Sequence, residues 1–461
     1  MSSTATESSA GPRVISGLPQ PPGELPCAGS PLDLDPRTYR QAQGCVHCGL
    51  CLPACPTYTE TGLEADSPRG RIMLIKGLAD GKLEPTEVVR EHLDLCLDCR
   101  ACETACPSGV VYHELIEEAR PKLEERDPAP KSFADRLVRM GVLHLFPHPG
   151  RLKLALLPAR VVQKLGLWRP LQRVGAKLLP GPLAQMQQLL PKQGRLWERR
   201  LGTFYPSTKK QDAPPRRVAF FAGCVGSVLF QDVNRQAIAL LQRAGCDVYV
   251  PRAQGCCGAI HHHAGEPGPA AELAKANLAA MLDLPGGAPD TIVSDIAGCG
   301  AMLREYDQLL RDGDHADRAR DFAGRVRDIS ELLVELRPDP PTHRIERKAT
   351  YDDACHLAHA QGVTAAPRQM LEQIEGLELA PLPESDICCG AAGTYNLSQP
   401  KMARELGERK IEHIRATGAR VCITGNAGCA MQIQAEADRL GVELDVVHPV
   451  TLLHEACFGR R

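Results

Sequence analysis

A chain of 461 residues is long enough for two or three domains, each with its own core. With 43% hydrophobic residues it is not mainly disordered. With 4% aromatic residues and a formal net charge of −2, it is neither a base-stacking platform nor an electrostatic magnet for nucleic acid. The feature that needs explaining is its twenty cysteines. Met1 to Gly23 is rich in Ser, Gly and Pro and has no apolar run of the secretory type. Disulfides are therefore a poor account of the cysteines, and metal or redox chemistry is a better one. No stretch reaches the roughly 18 apolar residues of a membrane-spanning helix, and the expected location is cytoplasmic.

In chain order, residues 1–35 read as a flexible leader. Residues 36–130 are dense in cysteine, with frequent Gly and Pro, as in a small helical domain built round metal groups. Residues 131–215 form a basic, Pro-rich helical linker. From Lys131 to Arg200, fourteen Lys and Arg stand against only Asp135 and Glu198. Prolines 147, 149, 158, 170, 180, 182 and 191 are expected to chop this region into short helices. Two further domains follow, 216–340 and 341–461. In the first, Arg217-Val-Ala-Phe-Phe reads as a strand, followed by a helix from about Leu229 to Ala244. A second strand runs from Cys246 to Pro251, a helix from Ala270 to Leu282, and a third strand starts at Thr291. Met402 to Ala416 and Arg420-Val-Cys-Ile-Thr give the corresponding helix and strand of the second domain.

The two domains are copies. Cys224 and Cys355 stand 131 residues apart, Cys256 and Cys388 132, and Cys299 and Cys429 130, and three landmarks agreeing this closely mean an internal duplication. The expected class is thus α+β with α/β parts: a helical ferredoxin-type domain, then two duplicated α/β domains with parallel sheets.

Two motifs carry chemistry. Cys45-x2-Cys48-x2-Cys51-x3-Cys55-Pro56 recurs as Cys96-x2-Cys99-x2-Cys102-x3-Cys106-Pro107. Three thiolates on one tight turn bind three corners of a cubane, and the fourth cysteine of each run reaches the other cluster. This assigns Cys45, Cys48, Cys51 and Cys106 to one 4Fe–4S cluster, and Cys96, Cys99, Cys102 and Cys55 to a second. Zinc is the alternative, as in an interaction or DNA-binding module, but zinc gives no reason for the third cysteine or the x3-Cys-Pro ending. The second motif is Cys…Cys-Cys-Gly…Cys, supplying Cys224, Cys256, Cys257 and Cys299 in one copy and Cys355, Cys388, Cys389 and Cys429 in the other. Gly258 and Gly390 let the chain turn sharply beside a bulky group. Either copy could hold one further iron–sulfur cluster, or its cysteines could simply pack in the core. Of the other four cysteines, Cys246 and Cys422 fall in strands and read as core residues, while Cys27 and Cys457 lie near the ends without an arguable role.

This pair of ferredoxin runs followed by two Cys-Cys-Gly domains resembles heterodisulfide-reductase-type and glycerol-3-phosphate-dehydrogenase-type iron–sulfur subunits. More narrowly, Cys45-Val-His-Cys-Gly-Leu-Cys, Ser67-Pro-Arg-Gly-Arg-Ile, Glu91-His-Leu-Asp-Leu-Cys, Gly255-Cys-Cys-Gly-Ala and Cys388-Cys-Gly-Ala-Ala-Gly-Thr-Tyr resemble the glycolate oxidase (glycolate dehydrogenase) iron–sulfur subunit family. The resemblance spans about residues 40–457. It implies an oxidoreductase subunit that relays electrons from FAD-bearing catalytic partner subunits, where glycolate becomes glyoxylate, to a membrane or quinone acceptor. It also implies a place in the cytoplasm, peripheral on the inner membrane. Glycerol 3-phosphate and lactate are the competing substrates, and direct disulfide chemistry of the heterodisulfide-reductase type is the competing activity. That wider family ends each copy in Cys-x2-Cys. Here Met302 and Gln432 stand at the last position, which counts against a five-thiolate cluster and disulfide chemistry.

No catalytic residue is assigned. There is no Gly-x-Gly-x-x-Gly opening a strand–helix unit, hence no flavin or nicotinamide site in this chain. His261 and His262 read as packed or exposed histidines. His263 and His356 are equally open to that reading and to tuning or ligating a cluster. Arg69 and Arg71 either offset cluster charge or are ordinary surface arginines. The basic stretch has three readings: a membrane-surface segment, a dock for an acidic partner, or an arm packed on its neighbours.

Overall fold

The computed structural model describes residues 26–27, 29–126, 133–168, 171, 186–191, 200–210 and 213–460. Of the expected leader, residues 1–25 and 28 lie outside the described residues. Its last part departs from the expectation. Leu32 and Leu34 are buried in the first domain's core with Tyr39, Ile75 and Leu115, because an apolar pair two residues apart turns both side chains to the same side. Asp35 then caps the helix Pro36–Gln43, its carboxylate accepting from the Arg37 N–H.

Among its described residues the ferredoxin-type domain consists of helices and loops. Its cysteine loops are held by Pro56–Thr61, Pro68–Ala79, Ala101–Thr104 and Tyr112–Arg126. Two of these four helices, Pro56–Thr61 and Pro68–Ala79, open at a proline. Proline at the first helical position costs no hydrogen bond and sets the backbone angle for the turn. Ser67 caps Pro68–Ala79 through its hydroxyl, 3.0 Å from the Gly70 nitrogen.

The linker prolines act unevenly. Pro149 opens the helix Pro149–Lys164, as a chain break requires, but Pro158 lies inside it. Its lost bond would have gone to the carbonyl of Leu154, a residue on the helix's open side with its side chain 72% exposed. Pro170, Pro180 and Pro182 lie outside the described residues. The described part of the linker packs on the first copy: Arg160 donates to the Val228 carbonyl at 2.9 Å, and Arg139 to Glu266 at 2.8 Å. No helix among the described residues is long and apolar enough to cross a membrane.

The duplication is visible strand by strand. In the first copy, β1 (Phe204–Tyr205), β2 (Arg216–Phe221), β3 (Cys246–Tyr249), β4 (Thr291–Ser294) and β5 (Val326–Asp328) form a sheet of order β1-β3-β2-β4-β5. In the second, β6 (Arg347–Asp352), β7 (Leu377–Ala380), β8 (Val421–Thr424) and β9 (Asp445–Val447) form one of order β7-β6-β8-β9. Without the short antiparallel β1, both sheets are parallel and share one strand order. Alternation decides the faces. Val218 and Phe220 of β2 point to one core, while Ala219 and Phe221 point to the other. In β8, Val421 and Ile423 face the same core as Val218, and Cys422 faces away.

That common core joins the copies. Between the two sheets lie Gln231–Arg243, Ile329–Leu336, Ala365–Glu372 and Pro449–Phe458, with the first packed on the last and the second on the third. Residues 216–340 and 341–461 are therefore two repeats about one shared helical layer. Cys246 and Cys457 lie in that layer's core as small apolar residues.

Candidate metal centres

The crossover connections of a parallel sheet leave their loops at the carboxyl ends of the strands, and a crevice opens where the strand order reverses. Here that point falls between β2 and β4, and again between β6 and β8. Cys224 follows β2, Cys256 and Cys257 follow β3, and Cys299 follows β4. Cys355, Cys388, Cys389 and Cys429 hold the matching places after β6, β7 and β8. Fold topology thus gathers four sulfurs at each switch point.

In the first copy the Cys224 thiol donates to the Cys256 sulfur at 3.4 Å, and Cys257 lies between Cys256 and Cys299. The thiols of Cys224 and Cys257 hold Cys256 well below its ordinary range, and the Gly258 N–H, 3.5 Å from the sulfur, adds to this. In the second copy Cys388 contacts Cys355 and Cys389, and Cys389 contacts Cys429. Asn426 donates to the Cys429 sulfur at 3.4 Å. All four are buried. Met302 and Gln432, at the positions of a fifth cysteine, are filled by packing: Met302 is in the apolar core, and Gln432 bonds Asn396 and the Ala403 carbonyl.

The ferredoxin-type runs surround two adjacent cavities. One is lined by Cys45, Cys48, Cys51 and Cys106, the other by Cys55, Cys96, Cys99 and Cys102. Each run's fourth cysteine stands with the other run's first three. Cys102 and Tyr112 line both cavities, so the two share a wall. Their exposure differs: Cys48 is exposed and its three companions half-buried, whereas Cys55, Cys96, Cys99 and Cys102 are buried. Burial pushes the Cys99 and Cys102 thiols well up. Four thiols converging on an apolar-walled cavity, with the Asp98 N–H donating to the Cys96 sulfur at 3.3 Å, are the donor set an iron–sulfur cluster requires.

Charge is placed round these cavities unequally. Arg71 is 1% exposed, bonds the His92 carbonyl and Thr57 hydroxyl, and brings Nη1 to 4.0 Å from the Cys55 sulfur. Arg69 stays at the surface, pairing with Glu64 and donating to the His47 carbonyl beside the first cavity. Both arginines thus stand beside a cysteine cavity, Arg71 buried and Arg69 half-exposed.

The second cavity abuts both copies. Cys99 packs in one cluster with Cys355, Cys388 and Tyr395, and the Tyr395 hydroxyl donates to the Leu95 carbonyl at 2.8 Å. Toward the first copy, Arg100 pairs with Glu305. His356 is half-buried with Nδ1 3.5 Å from the Cys355 sulfur, and desolvation and the Arg100 charge bring it down to about 4, so it stands neutral. His262 and His263 face Glu117. Sequence reasoning missed Asp98, Arg100, Glu117 and Glu305. Of these Asp98 and Arg100 carry a local mark, a left-handed backbone (φ 52° and 63°), which the sequence alone does not reveal.

Comparison with known proteins follows this geometry. Residues 41–110 match the 4Fe–4S dicluster domain, 218–304 and 349–434 the cysteine-rich domain, and 134–190 the linker region of the glycolate oxidase iron–sulfur subunit. A Bacillus subtilis protein described as a probable glycolate oxidase iron–sulfur subunit is 40% identical, over 89% of this chain and 93% of its own length. The Escherichia coli glycolate oxidase iron–sulfur subunit is 33% identical over 87% and 91%. Lactate utilization protein A of Halalkalibacterium halodurans is 31% identical over 52% of this chain and 96% of that protein.

Proposed function

This chain belongs to the glycolate oxidase iron–sulfur subunit family, and from that premise we propose that it is the electron-transfer subunit of a flavin-dependent 2-hydroxy-acid dehydrogenase acting on glycolate. Glycolate loses two electrons and two protons to become glyoxylate on an FAD-bearing partner subunit. This chain carries those electrons towards a quinone at the membrane surface, where it sits peripherally on the cytoplasmic side. Cys45, Cys48, Cys51 and Cys106 hold one 4Fe–4S cluster, and Cys96, Cys99, Cys102 and Cys55 the second. Cys224, Cys256, Cys257 and Cys299, and Cys355, Cys388, Cys389 and Cys429, hold further clusters. When bound, such groups supply one-electron carriers.

The observation that carries this reading is continuity. The cysteine groups follow one another without a break, from the exposed Cys48, through the wall shared at Cys102, to the packing of Cys99 on Cys355 and Cys388. The protein's own side chains serve that line. Arg71 holds a positive charge beside Cys55, burial shields Cys55, Cys96, Cys99 and Cys102 from solvent, and Tyr395 and Tyr112 lock the loops that bear the sulfurs. The linker match at 134–190 favours glycolate over lactate as the partner's substrate.

Two measurements test it. Anaerobically purified chain is expected to hold iron and acid-labile sulfide in equal amounts, about twelve to sixteen of each. About eight would leave the Cys-Cys-Gly sites as scaffold. Alone, the chain reduces no dye with glycolate, and with its flavin partner it does so faster than with lactate or glycerol 3-phosphate. Glycolate oxidation by the flavin-free chain would refute the assignment of chemistry to the partner.

A further inference from the structure

Between the ferredoxin-type domain and the first repeat lies a group of side chains that no cysteine site uses. Glu117 comes from the helix Tyr112–Arg126, and His262 and His263 from Ala259–His263, which opens directly after Cys257-Gly258. Glu117 Oε1 is 3.5 Å from His262 Nδ1 and 3.2 Å from His263 Nδ1. One donor atom of each side chain lies within 4.8 Å of the other two. Ligands held at about 2.0–2.1 Å round a tetrahedral ion stand roughly 3.3 Å apart, so these separations suit a common centre.

As a hydrogen-bonded network the group is incomplete. Glu117 Oε1 and His262 Nδ1 are both buried atoms without a hydrogen-bond partner, although they face each other. Leaving such atoms unpaired is costly. Convergence on a third body explains it.

The charge balance agrees. Asp98, with Oδ2 3.5 Å from His263 Nδ1, Glu117 and Glu305 supply three carboxylates. Against them stands the single guanidinium of Arg100, 3.6 Å from Glu117 and paired with Glu305. The carboxylates thus exceed the guanidinium by two charges, which one divalent cation, or protons on the two imidazoles, would balance. The donors are nitrogen and oxygen, unlike the all-sulfur sets nearby, and two imidazoles with one carboxylate suit zinc or a similar first-row ion. His263, 30% exposed in its side chain, gives an ion a way in from solvent.

We propose that Glu117, His262 and His263 bind one divalent transition-metal ion of the zinc class, pinning the ferredoxin-type domain to the first repeat. Asp98, whose Oδ1 also lacks a partner, completes the site directly or through a water. The ion's role is structural, since its ligands come from the two bodies that the electron path must hold in register. The site is independent of which hydroxy acid the partner oxidises.

The test uses the full, cluster-loaded chain, equilibrated anaerobically with zinc and freed of loose metal by a weak chelator. Zinc, iron and sulfide are counted together, and the zinc K-edge spectrum is recorded. Expected are one zinc per chain and a first shell of nitrogen and oxygen at about 2.0–2.1 Å. Glu117→Gln is expected to keep its iron and sulfide but hold zinc roughly tenfold or more weakly, since even outer-shell changes cost that much. Absence of retained zinc in the parent overturns the proposal. So does a sulfur shell near about 2.3 Å, which would put the zinc in a cysteine site. Unchanged retention by Glu117→Gln would also overturn it. The parent's count and spectrum decide the matter even if the variant misfolds.

Discussion

Gly258 and Gly390 occupy equivalent places, each closing a Cys-Cys pair, yet their surroundings differ enough to be told apart by one methyl group. Both have positive φ, 95° and 86°, so alanine at either meets the same backbone penalty of about 1–2 kcal/mol. What the added Cβ touches is not the same. At Gly258 the nearest atoms are the Ala270 carbonyl oxygen at 3.3 Å and Cα at 3.4 Å, contacts that a small shift relieves. At Gly390 the Ala403 carbonyl oxygen would stand at 2.7 Å and its Cα at 3.1 Å. Those atoms belong to the backbone of the long helix Pro400–Ala416 and cannot rotate aside. Forcing that helix back adds about 1–3 kcal/mol, the usual cost of overpacking. Gly390→Ala is therefore expected to lose about 2–5 kcal/mol and Gly258→Ala about 1–2 kcal/mol. Because Met402 and Ala403 pack with Cys388 and Cys99, the shift also reaches the second copy's cysteine group. Anaerobic denaturant titration of both variants, with iron counted per chain, measures this. Equal losses, or a larger loss for Gly258→Ala, would show that the Cβ geometry does not govern the Cys-Cys-Gly turn.

Arg71→Met removes the buried positive charge 4.0 Å from the Cys55 sulfur while leaving His92 paired to Asp66 at 2.7 Å. A nearby cation favours the reduced, more negative cluster. The potential of the group at Cys55, Cys96, Cys99 and Cys102 should therefore fall, by about 60–170 mV if the lost interaction is about 1.4–4 kcal/mol. An EPR-monitored redox titration with an unmoved potential and intact iron content would contradict this. Asp295 buries both carboxylate oxygens without a hydrogen-bond partner, and burial pushes it up to about 8. Its folded form keeps a proton that the unfolded chain gives up near pH 4. Stability should thus fall as pH rises between about 4 and 8, by up to about 1.4 kcal/mol per pH unit. Asp295→Asn should melt above the parent at about pH 8.5, with the gap closing toward about pH 5. A gap that does not change with pH would assign the effect to packing.

The cysteine spacing was legible because it is set by the local geometry of a turn, and the exchange of Cys55 and Cys106 between runs is a consequence of that geometry. The duplication was legible for a different reason, since three landmarks at nearly equal offsets need no structural interpretation. The shared core was not. Val218, Ala219, Phe220 and Phe221 are all apolar, so nothing in the strand says which face meets its own helices and which meets the other copy's. The group round Glu117 was hidden as well. Its carboxylates and histidines come from distant parts of the chain, and a lone Glu in a charged helix such as Tyr112–Arg126 carries no mark of burial. Pro158 misled for a local reason: a helix with one open side tolerates the loss of one hydrogen bond.

Once duplicated, two repeats round a common helical layer would present equivalent sites to anything docked on their axis, yet the ferredoxin-type domain treats them differently. Toward the second repeat it offers sulfur and apolar contact at its centre, with Cys99 beside Cys355 and Cys388, sealed by Tyr395, and one ion pair at the edge, Arg409 to Glu60 at 3.0 Å. Toward the first repeat it offers charge, through Asp98, Arg100 and Glu117 against Glu305, His262 and His263. Electron transfer decays steeply with separation and favours the close, dry contact, whereas ionic contact is better suited to fixing orientation. Of the two contacts, the one with the second repeat's cysteine group meets the first condition, and the one with the first repeat meets the second.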